Sequence, residues 1–419
     1  MKRRFTRNVI TAALVAWTAA AAAEPSASPG LPGAEQARIA IEQDPAVVQA
    51  LRAMEAAGHG AAMVRAGPYE WTVGGTVQRR RVVGAPTSNE WSAQIERPIR
   101  IGGKAELDRQ LGDSAESAAR AQLAAARADS ARNLLDGWID WLGARQSRQA
   151  LDDQVRLAED NLRTVTLRRK AGDASRLELN VAEGDLAEAR RQASAAGTAE
   201  ARAQAALRVR YPTLGASSET DAAALPDPVA LEFDEAQWRE RIVGEHPALA
   251  AASQALRKAE LAAERVRADR VPDPTIGVFT SSEASRTERV VGVSLSIPLG
   301  GTYRDQAARE ALKQVEVARA AVDRQRRDLE LQVATQVQEA IGNLERWRLA
   351  EQSATALRET ARLTQKAYAN GEADVQALLL ARRQAVDAAS AAQAARTDAW
   401  RARYRLMIDA RMLWSQEER

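Results

Sequence analysis

The sequence contains no cysteine and only two histidines. The missing cysteines exclude disulfides, thiolate metal sites and an acylated N-terminal cysteine. A metal site needs several convergent ligands, so His59 and His246, which lie far apart in the chain, are interpreted as ordinary structural residues. Acidic residues occur at helix-surface spacing throughout, and no catalytic pair can be singled out among them. The sequence therefore predicts no enzyme, no resident metal and no cofactor.

Aromatic residues and long apolar runs are also scarce. Aromatics make up 4% of the chain, and beyond residue 23 no apolar run approaches the ~18 residues of a membrane-spanning helix. If the chain enters a membrane, it must do so as β-strands, because only helices and closed sheets satisfy all backbone polar groups in lipid. Alanine, arginine, glutamine and glutamate dominate the long central stretches instead. This composition is typical of long helices whose small residues allow close packing.

Residues 1–23 have the form of a secretory signal peptide. A basic head precedes an apolar run from Val9 to Ala20, and small residues stand before Glu24. The apolar run is shorter than the ~20 residues of a spanning helix, which disfavours a membrane anchor. Without this segment the 59 basic residues fall by 4 to 55, against 56 acidic ones, so the net charge becomes −1. The basic composition of the whole chain therefore does not point to nucleic acid.

The chain repeats itself at an interval of about two hundred residues. Four landmarks recur in the same order with offsets of 198 to 202, namely Pro45 and Pro247, Pro98 and Pro298, the pairs Gly102-Gly103 and Gly300-Gly301, and Gly172 and Gly371. Such regular spacing indicates an internal duplication. Each copy is predicted to contain a helix that begins at an X-Pro step, then two strands, then a long helical region that is broken once.

The predicted strands alternate between apolar and polar residues. Their apolar positions are Tyr69, Trp71, Val73 and Val77, then Trp91, Ala93 and Ile95 in the first copy, and Val291, Val293, Leu295 and Ile297 in the second, whereas the run from Pro274 alternates less cleanly. This period indicates a sheet with one apolar and one polar face. A soluble hairpin over a small core is the alternative. Four runs of about ten residues, near the length of a tilted membrane strand, favour the membrane.

The helical regions are unusually long. No proline occurs from Lys104 to Lys170, which predicts a rod of roughly 100 Å at 1.5 Å per residue. Its lower half carries an apolar seam with spacings of 4, 3, 4 and 3, formed by Leu151, Val155, Ala158, Leu162 and Val165; Leu357, Ala361, Thr364 and Tyr368 continue the pattern in the second copy. This spacing predicts helix packed on helix. A return helix after each broken point completes one helical hairpin per copy.

The glycine pairs stand where a strand must become a helix within a few residues. Glycine allows backbone angles that other residues avoid, and Pro98 and Pro298 suit the last position of a strand. The stretch from Thr302 to Asp305 has the form of a capping box, and Glu106 and Asp108 place negative charge near a helix start. A phosphate-binding loop is the alternative, but neither GxGxxG nor GK[ST] occurs nearby.

These residues resemble the TolC-like outer-membrane efflux proteins. The resemblance rests on the repeated proline and glycine-pair junctions and on the glycine-centred segments "KAGDASRLEL" and "ANGEADVQALL", and it extends from about Ala34 to Asp409. The phrases "IERPIRIGGK" and "LSIPLGGTYR" look most like the CzcC-type heavy-metal efflux subgroup. The resemblance implies a mainly α fold with a small β part, built from a duplicated unit of long coiled-coil hairpins plus four strands.

The resemblance also implies an assembly. In it, a homotrimer forms a twelve-stranded β-barrel in the outer membrane and a helical barrel across the periplasm, which contacts a periplasmic adaptor and an inner-membrane RND-type pump. By position, adaptor contact falls on Gly172, Asp173, Leu177, Gly371, Glu372 and Leu378. Asp374 is a candidate for an acidic ring at the closed end, and a solvated surface acid is the alternative. Independently, four strands cannot close into a barrel, and open sheet edges are not tolerated in lipid.

The predicted organisation divides the chain into a few segments. They are a signal peptide (1–23), a first repeat (24–212, strands about 69–99, hairpin about 104–212), a linker (213–237), a second repeat (238–410, strands about 274–298, hairpin about 302–410) and a tail (411–419). The expected function is a passive outer-membrane duct for divalent heavy-metal cations. A channel for drug efflux or type I secretion is an alternative. A soluble periplasmic adaptor is a further one, although the duplication argues against it.

Overall fold

A computed structural model describes residues 30–81, 83–84, 86–214 and 225–414. The predicted signal peptide, residues 215–224 of the predicted linker and the last residues of the predicted tail lie outside this part of the chain. In order, the elements are α1 (Ala34–Glu42), α2 (Pro45–Ala66), β1 (Thr72–Arg80), β2 (Ser88–Pro98), α3 (Lys104–Lys170), α4 (Arg176–Arg210), α5 (Glu235–Glu245), α6 (Pro247–Ala268), β3 (Thr275–Glu283), β4 (Glu288–Ser296), α7 (Thr302–Ala369) and α8 (Val375–Asp409).

The two halves of the chain contain the same elements in the same order. Helices α2 and α6 both have 22 residues, α4 and α8 both have 35, and α3 and α7 have 67 and 68. The predicted duplication of a strand pair followed by a long helical hairpin is thereby confirmed. The predicted seam is present too, since Ala158 and Val165 are buried. Within the described residues, no helix has the length and apolar character that membrane crossing requires.

Helices α2 and α6 begin at the X-Pro steps for a shared physical reason. Proline occupies the first turn, where a backbone N–H would lack a partner in any case. The preceding side chain accepts a hydrogen bond from the second N–H of the helix, 2.9 Å from Ala46 N to Asp44 Oδ1 and 3.2 Å from Ala248 N to His246 Nδ1. His246 is thus a buried helix cap. Burial and the nearby Arg132 guanidinium lower the pKa of its imidazole.

The four strands form one antiparallel sheet in the order β1-β2-β3-β4, so β1 and β4 are its edges. Cross-strand neighbours include Val77 with Trp91, Ile95 with Val278, and Val278 with Val293. These side chains share one face and are exposed, Val77 to 86%. The predicted alternation is confirmed, and its apolar face points away from the chain's own packing.

The main core lies partway along the long helices. One buried cluster lies around Trp138 and Trp141 and contains residues of α1, α2, α3, α4 and the end of α8. A second lies around Trp238 and contains residues of α5, α7 and α8. A salt bridge also links α3 to α8 at the core, where Arg132 Nε lies 2.6 Å from Asp409 Oδ1. Beyond the core, each hairpin continues as a two-helix arm.

Candidate functional site at the hairpin ends and the strand-to-helix junctions

The ends of the two hairpins have the same backbone geometry. Gly172 follows α3 with φ +86°, and Gly371 follows α7 with φ +78°. The next N–H in each turn bonds back to the helix, 2.8 Å from Asp173 N to Arg168 O and 2.8 Å from Glu372 N to Ala367 O. This is the Schellman termination, in which a left-handed residue, usually glycine, lets the chain reverse. The structure therefore places both predicted glycines at the turns.

The return helices begin with different caps. Ser175 and Glu178 form a reciprocal capping box at the start of α4. At the start of α8, Asp374 accepts a hydrogen bond from Ala377 N at 2.7 Å. Asp374 is exposed, but its carboxylate is engaged in capping. Its role as an entrance acid remains a prediction.

Two of the predicted contact residues differ sharply in exposure. Leu177 is 63% exposed and is available to a partner, whereas Leu378 is 1% exposed and packs inside the chain. The expectation for Leu378 is therefore corrected, because a leucine on the first turn of a helix that packs on its neighbours can point inward. Asp173 and Glu372 are exposed at the turns.

A hydrogen bond joins the ends of the two hairpins. The hydroxyl of Tyr368, on α7, donates to Glu178 Oε1, on α4, at 2.6 Å. Arg168 at the end of α3 lies over the Tyr368 ring and donates to its hydroxyl at 3.3 Å. This hydrogen bond from Tyr368 is the main cause that lowers the pKa of Glu178, whereas burial, followed by the same bond, raises the pKa of Tyr368. We call these three residues the end tie.

The sequence pattern missed the end tie. The 4, 3, 4 spacing places Tyr368 in the apolar seam and gives its hydroxyl no role. The signal that could have found it is a tyrosine three residues before a turn glycine, together with an acid six residues after the equivalent glycine in the other repeat. The hydroxyl of a tyrosine that is half-buried usually has a hydrogen-bond partner, and for Tyr368 the partner comes from the other repeat.

A second contact between the hairpins lies farther from the turns. Arg382 on α8 approaches Asp185 on α4 at 3.6 Å and donates to Gln365 on α7 at 2.5 Å. Burial is the main cause that lowers the pKa of Arg382 and raises that of Asp185. Polar links therefore hold the two hairpins together over more than one turn.

The first strand-to-helix junction contains a buried lysine. Lys104 is 1% exposed, and its ammonium donates to Val271 O at 2.7 Å and to Asp273 Oδ1 at 2.8 Å. Asp273 also accepts from Tyr69 Oη at 2.8 Å and from Ile101 N at 3.1 Å. Burial opposes the charge on Asp273, but these donors outweigh it and lower its pKa. Burial and the bond to Asp273 raise the pKa of Tyr69 to about 12.

Asp108 extends the junction network. Its carboxylate accepts from Arg100 at 2.9 Å and from Arg265, on α6, at 2.6 Å. The sequence predicted only a favourable charge near a helix start, as Glu106 indeed provides in the first turn. Asp108 instead joins the two repeats through a buried ion pair.

The two glycine pairs are not conformationally equivalent. Gly102 and Gly103 have φ values of +67° and +75°, as the predicted need for glycine requires. Gly301 has φ −159°, an extended conformation open to any residue, and Gly300 is not among the positive-φ residues. The expectation of a special glycine conformation is therefore wrong at the second junction.

The second junction departs from the sequence prediction in its helix cap as well. Helix α7 starts at Thr302. Its N-cap residue is Gly301, which has no side chain that could accept a hydrogen bond from the first N–H groups of the helix. The predicted capping box is therefore not formed, because Thr302 already lies inside the helix, and Asp305 pairs with Arg270 at 2.7 Å. Pro98 ends β2, whereas Pro298 lies beyond the end of β4.

This difference yields a matched pair of substitutions. Gly103→Ala should destabilise the protein by about 1–2 kcal/mol, because alanine is strained in the left-handed region. Gly301→Ala should cost about 1–2 kcal/mol less than Gly103→Ala, since its backbone is extended and both glycines are helix N-caps, so that the loss of a preferred N-cap residue is common to both variants. An added Cβ would meet no atom within 4 Å at either site, so only backbone strain differs. Chemical denaturation followed by circular dichroism measures both; equal losses would contradict the assignment.

The described residues do not form a cluster of metal-ligating side chains. Across residues 30–81, 83–84, 86–214 and 225–414, no three histidine, aspartate or glutamate side chains converge as metal ligands would. His59 is exposed on α2 and His246 caps α6.

Comparison with known proteins gives a match of part of the chain to one family model and several solved structures of similar fold. Residues 238–407 match the family model described as outer membrane efflux protein. No match to a curated protein sequence was found. The Campylobacter jejuni CmeC outer membrane channel resembles the chain with a TM-score of 0.68 at 15% identity, over 91% of this chain and 86% of that one.

Two further solved structures show the same similarity. The outer membrane protein VceC from Vibrio cholerae gives a TM-score of 0.73 at 13% identity, over 91% of this chain and 99% of that one. The Neisseria gonorrhoeae MtrE outer membrane channel gives 0.60 at 16% identity, over 92% and 90%. At these identities the likeness shows the fold. The chain therefore has the fold of these outer-membrane proteins, with long helical hairpins attached to a small sheet.

Proposed function

We propose that this chain is an outer-membrane efflux protein and forms the passive exit duct of a tripartite efflux system. The observation that carries the proposal is that one chain combines an apolar sheet face with charged helical surfaces. A sheet with an exposed apolar face passes, through two glycine-containing junctions, directly into helical hairpins with charged surfaces. Such a sheet suits lipid and such hairpins suit an aqueous compartment.

The sheet requires more than one chain to enter a membrane. Its edge strands β1 and β4 each leave one side without a partner inside the chain. An open edge leaves backbone groups without hydrogen bonds, which lipid does not tolerate. Three copies would close twelve strands into one barrel, and their hairpins would form a helical barrel across the periplasm.

The hairpin ends are the surface proposed to meet the partner proteins. Gly172, Asp173 and Leu177 lie at the end of the first hairpin, and Gly371 and Glu372 lie at the end of the second. Their exposed backbone turns and side chains suit contact with the helical hairpin of a periplasmic adaptor, which would link the duct to an inner-membrane RND pump.

The end tie supports a closed resting state. Its bond between Tyr368 and Glu178 holds the second hairpin against the first at the end where solute would enter. Separation of the hairpins would break this charge-assisted bond, and adaptor contact with the neighbouring turns would compensate for its loss. Opening then follows from a shift between two packed arrangements.

The proposed cargo is divalent heavy-metal cations. Support comes from the sequence phrasing of the junctions, "IERPIRIGGK" and "LSIPLGGTYR", which resembles the CzcC-type subgroup. A duct needs no fixed metal site, since passage requires weak binding along the path.

Deletion of the gene tests both levels of the proposal. We expect increased sensitivity to cobalt, zinc, cadmium, nickel or copper salts, restored by the wild-type gene, with unchanged sensitivity to hydrophobic drugs. Fractionation should place the protein in the outer membrane as a heat-modifiable trimer. Drug sensitivity with normal metal tolerance would contradict the cargo alone. A soluble periplasmic monomer would refute the duct.

A further inference from the structure

The two faces of the sheet differ in charge. Among the strand residues that the structure describes, the outward apolar face has three arginines and no acid, whereas the inward polar face has four acids and one arginine. The outward charges are Arg79, Arg97 and Arg289, and the inward ones are Glu90, Glu96, Glu283, Glu288 and Arg80. Successive strand residues point to opposite faces, so this separation follows from their order in the sequence. All charged strand residues that face the surroundings of the sheet are therefore cations.

The outward arginines lie near the two ends of the apolar face. Arg97 lies at the end next to the helices and is engaged within the chain, since its Nε donates to Tyr69 O at 2.8 Å and its guanidinium covers the Trp71 ring. Arg79 and Arg289 lie at the opposite end, where β1 ends and β4 begins, and both are exposed. Neither side chain makes an ion pair or a hydrogen bond with any residue that the structure describes. This far end of the sheet thus has two cations available to an external partner.

We propose that Arg79 and Arg289 bind the phosphate groups of a lipid in the outer leaflet of the outer membrane. The inference rests on the duct proposed above, because that proposal places the helices in the periplasm and the far end of the sheet at the outer surface. It adds to the duct a lipid ligand and the two side chains that hold it.

The phosphates and the acyl chains of one lipid meet adjoining parts of the same face. Arg79 follows Val77 by two residues on this face, and Val77 lies opposite Trp91. In the same row as Trp91, Ser282 lies opposite Arg289. A guanidinium binds phosphate oxygens through two parallel hydrogen bonds, and tryptophan is enriched at the level of lipid headgroups. Contact with phosphate and contact with acyl chains therefore fall on one molecule, which favours a lipid over free phosphate.

Each of the two arginines belongs to an edge strand of the sheet. Within one chain β1 and β4 are three strand spacings apart, or about 14 Å at about 4.8 Å per strand. In the closed barrel of the proposed duct, β4 of one copy and β1 of the next lie side by side, so Arg289 and Arg79 of the two copies flank the boundary between them. One lipid with two phosphates can then contact both copies. Lipid binding is therefore expected to stabilise the trimer.

The acids at this end of the sheet do not oppose such a ligand, because they lie on the inward face. Glu90 accepts a hydrogen bond from Gln78 at 2.9 Å, and Glu283 accepts one from Ser281 at 3.0 Å. An anionic leaflet attracts arginine and repels carboxylates, so an outward acid would weaken the contact. A protein partner is the other candidate for these cations, but the neighbouring outward side chains are apolar and, in the duct, face lipid. The one-sided placement of charge thus favours an anionic lipid.

Binding of lipid A, a glycolipid with two phosphates, to the detergent-purified trimer tests the proposal. The apparent dissociation constant is obtained from the rise in the heat-dissociation midpoint of the trimer as lipid A is added. Arg79→Gln with Arg289→Gln should weaken binding at least about tenfold, and Arg79→Gln alone about threefold, because each substitution removes a charge-assisted contact to phosphate. Arg80→Gln is the matched control for Arg79→Gln, since it removes the same charge from the next residue on the inward face. Its affinity should stay within about twofold of the wild type.

Changes in the ligand separate the contribution of its parts. Inorganic phosphate in large excess should neither raise the midpoint nor displace lipid A, because it lacks acyl chains. Lipid A without its phosphates should bind the wild type and the glutamine double variant equally. Arg79→Lys with Arg289→Lys should retain more affinity than the glutamine pair, since lysine keeps the charge but not the paired hydrogen bonds. Displacement of lipid A by inorganic phosphate would assign the arginines to a free anion and overturn the lipid site.

The remaining outcomes separate the lipid site from the proposed duct. Equal lipid A binding by the wild type and the glutamine double variant would overturn the lipid site, and so would an outer-membrane trimer that binds no lipid A. Either result leaves the duct intact. A protein that binds at this end of the sheet through Arg79 and excludes lipid A would also overturn the lipid site. A soluble periplasmic monomer would refute the duct and the lipid site together.

Discussion

Tyr368→Phe should raise the open fraction of the channel about tenfold or more in planar bilayers. The substitution keeps the ring and its packing but removes the hydroxyl that donates to Glu178 at 2.6 Å. Hydrogen bonds to charged groups contribute about 1.5–3 kcal/mol, and about 1.4 kcal/mol corresponds to a factor of ten in an equilibrium constant. Loss of this one bond per chain therefore shifts the balance toward separated hairpins.

The control for this experiment lies one turn away on the same helix. Thr364 donates only to Thr360 O within α7, so Thr364→Val removes a hydrogen bond without affecting the link between hairpins. Glu178→Gln should resemble Tyr368→Phe with a smaller effect, because an amide oxygen still accepts a hydrogen bond but carries no charge. An open fraction that is the same for Tyr368→Phe and Thr364→Val in planar bilayers would exclude the end tie as a closing contact.

Lys104→Met should reduce the free energy of unfolding by about 3 kcal/mol or more. Methionine has a similar volume, so little cavity forms, but the carboxylate of Asp273 loses the ammonium 2.8 Å away. Removal of one partner from a buried ion pair typically costs about 3–5 kcal/mol, because the remaining charge is left in a poorly solvated site. Denaturation of the purified protein in detergent, followed by circular dichroism, measures the loss.

A double variant distinguishes a lost charge from lost packing. Lys104→Met with Asp273→Asn should recover more than half of the stability, because the asparagine removes the unpaired charge and still accepts from Ile101 N. Lys313→Met serves as the exposed control, since Lys313 pairs only with Glu316 at the surface and should change stability by less than about 0.5 kcal/mol. If the double variant is as unstable as Lys104→Met, the ion pair is not the cause.

The two repeats have diverged where their surroundings differ. Around the first junction, α6 and the start of β3 cover Lys104 and Asp108, and the buried charges are paired. Around the second, Tyr303 is exposed and Asp305 makes only a surface pair with Arg270. The same chain direction and the same glycine pair thus serve two different environments, one inside the chain and one at its free edge.

The sequence by itself determined the features that depend on neighbouring residues. Periodicity and local backbone preference predict the alternation along β1, β2 and β4, the proline-free length of α3, the seam around Ala158 and the turns at Gly172 and Gly371. The duplication followed from comparing the chain with itself. These signals depend on residues close together in the chain, so they can be read without knowing which element packs against the segment.

Only the tertiary structure decided which distant groups meet. Lys104 donates a hydrogen bond to Asp273, and Tyr368 donates one to Glu178; the partners are 169 and 190 positions apart in the chain. It also decided that Leu378 points inward and that Gly301 needs no unusual φ value. The physical reason is that burial and pairing of a side chain depend on the element packed against it. A local pattern specifies the helix or strand, whereas the packing of repeat on repeat selects the partner.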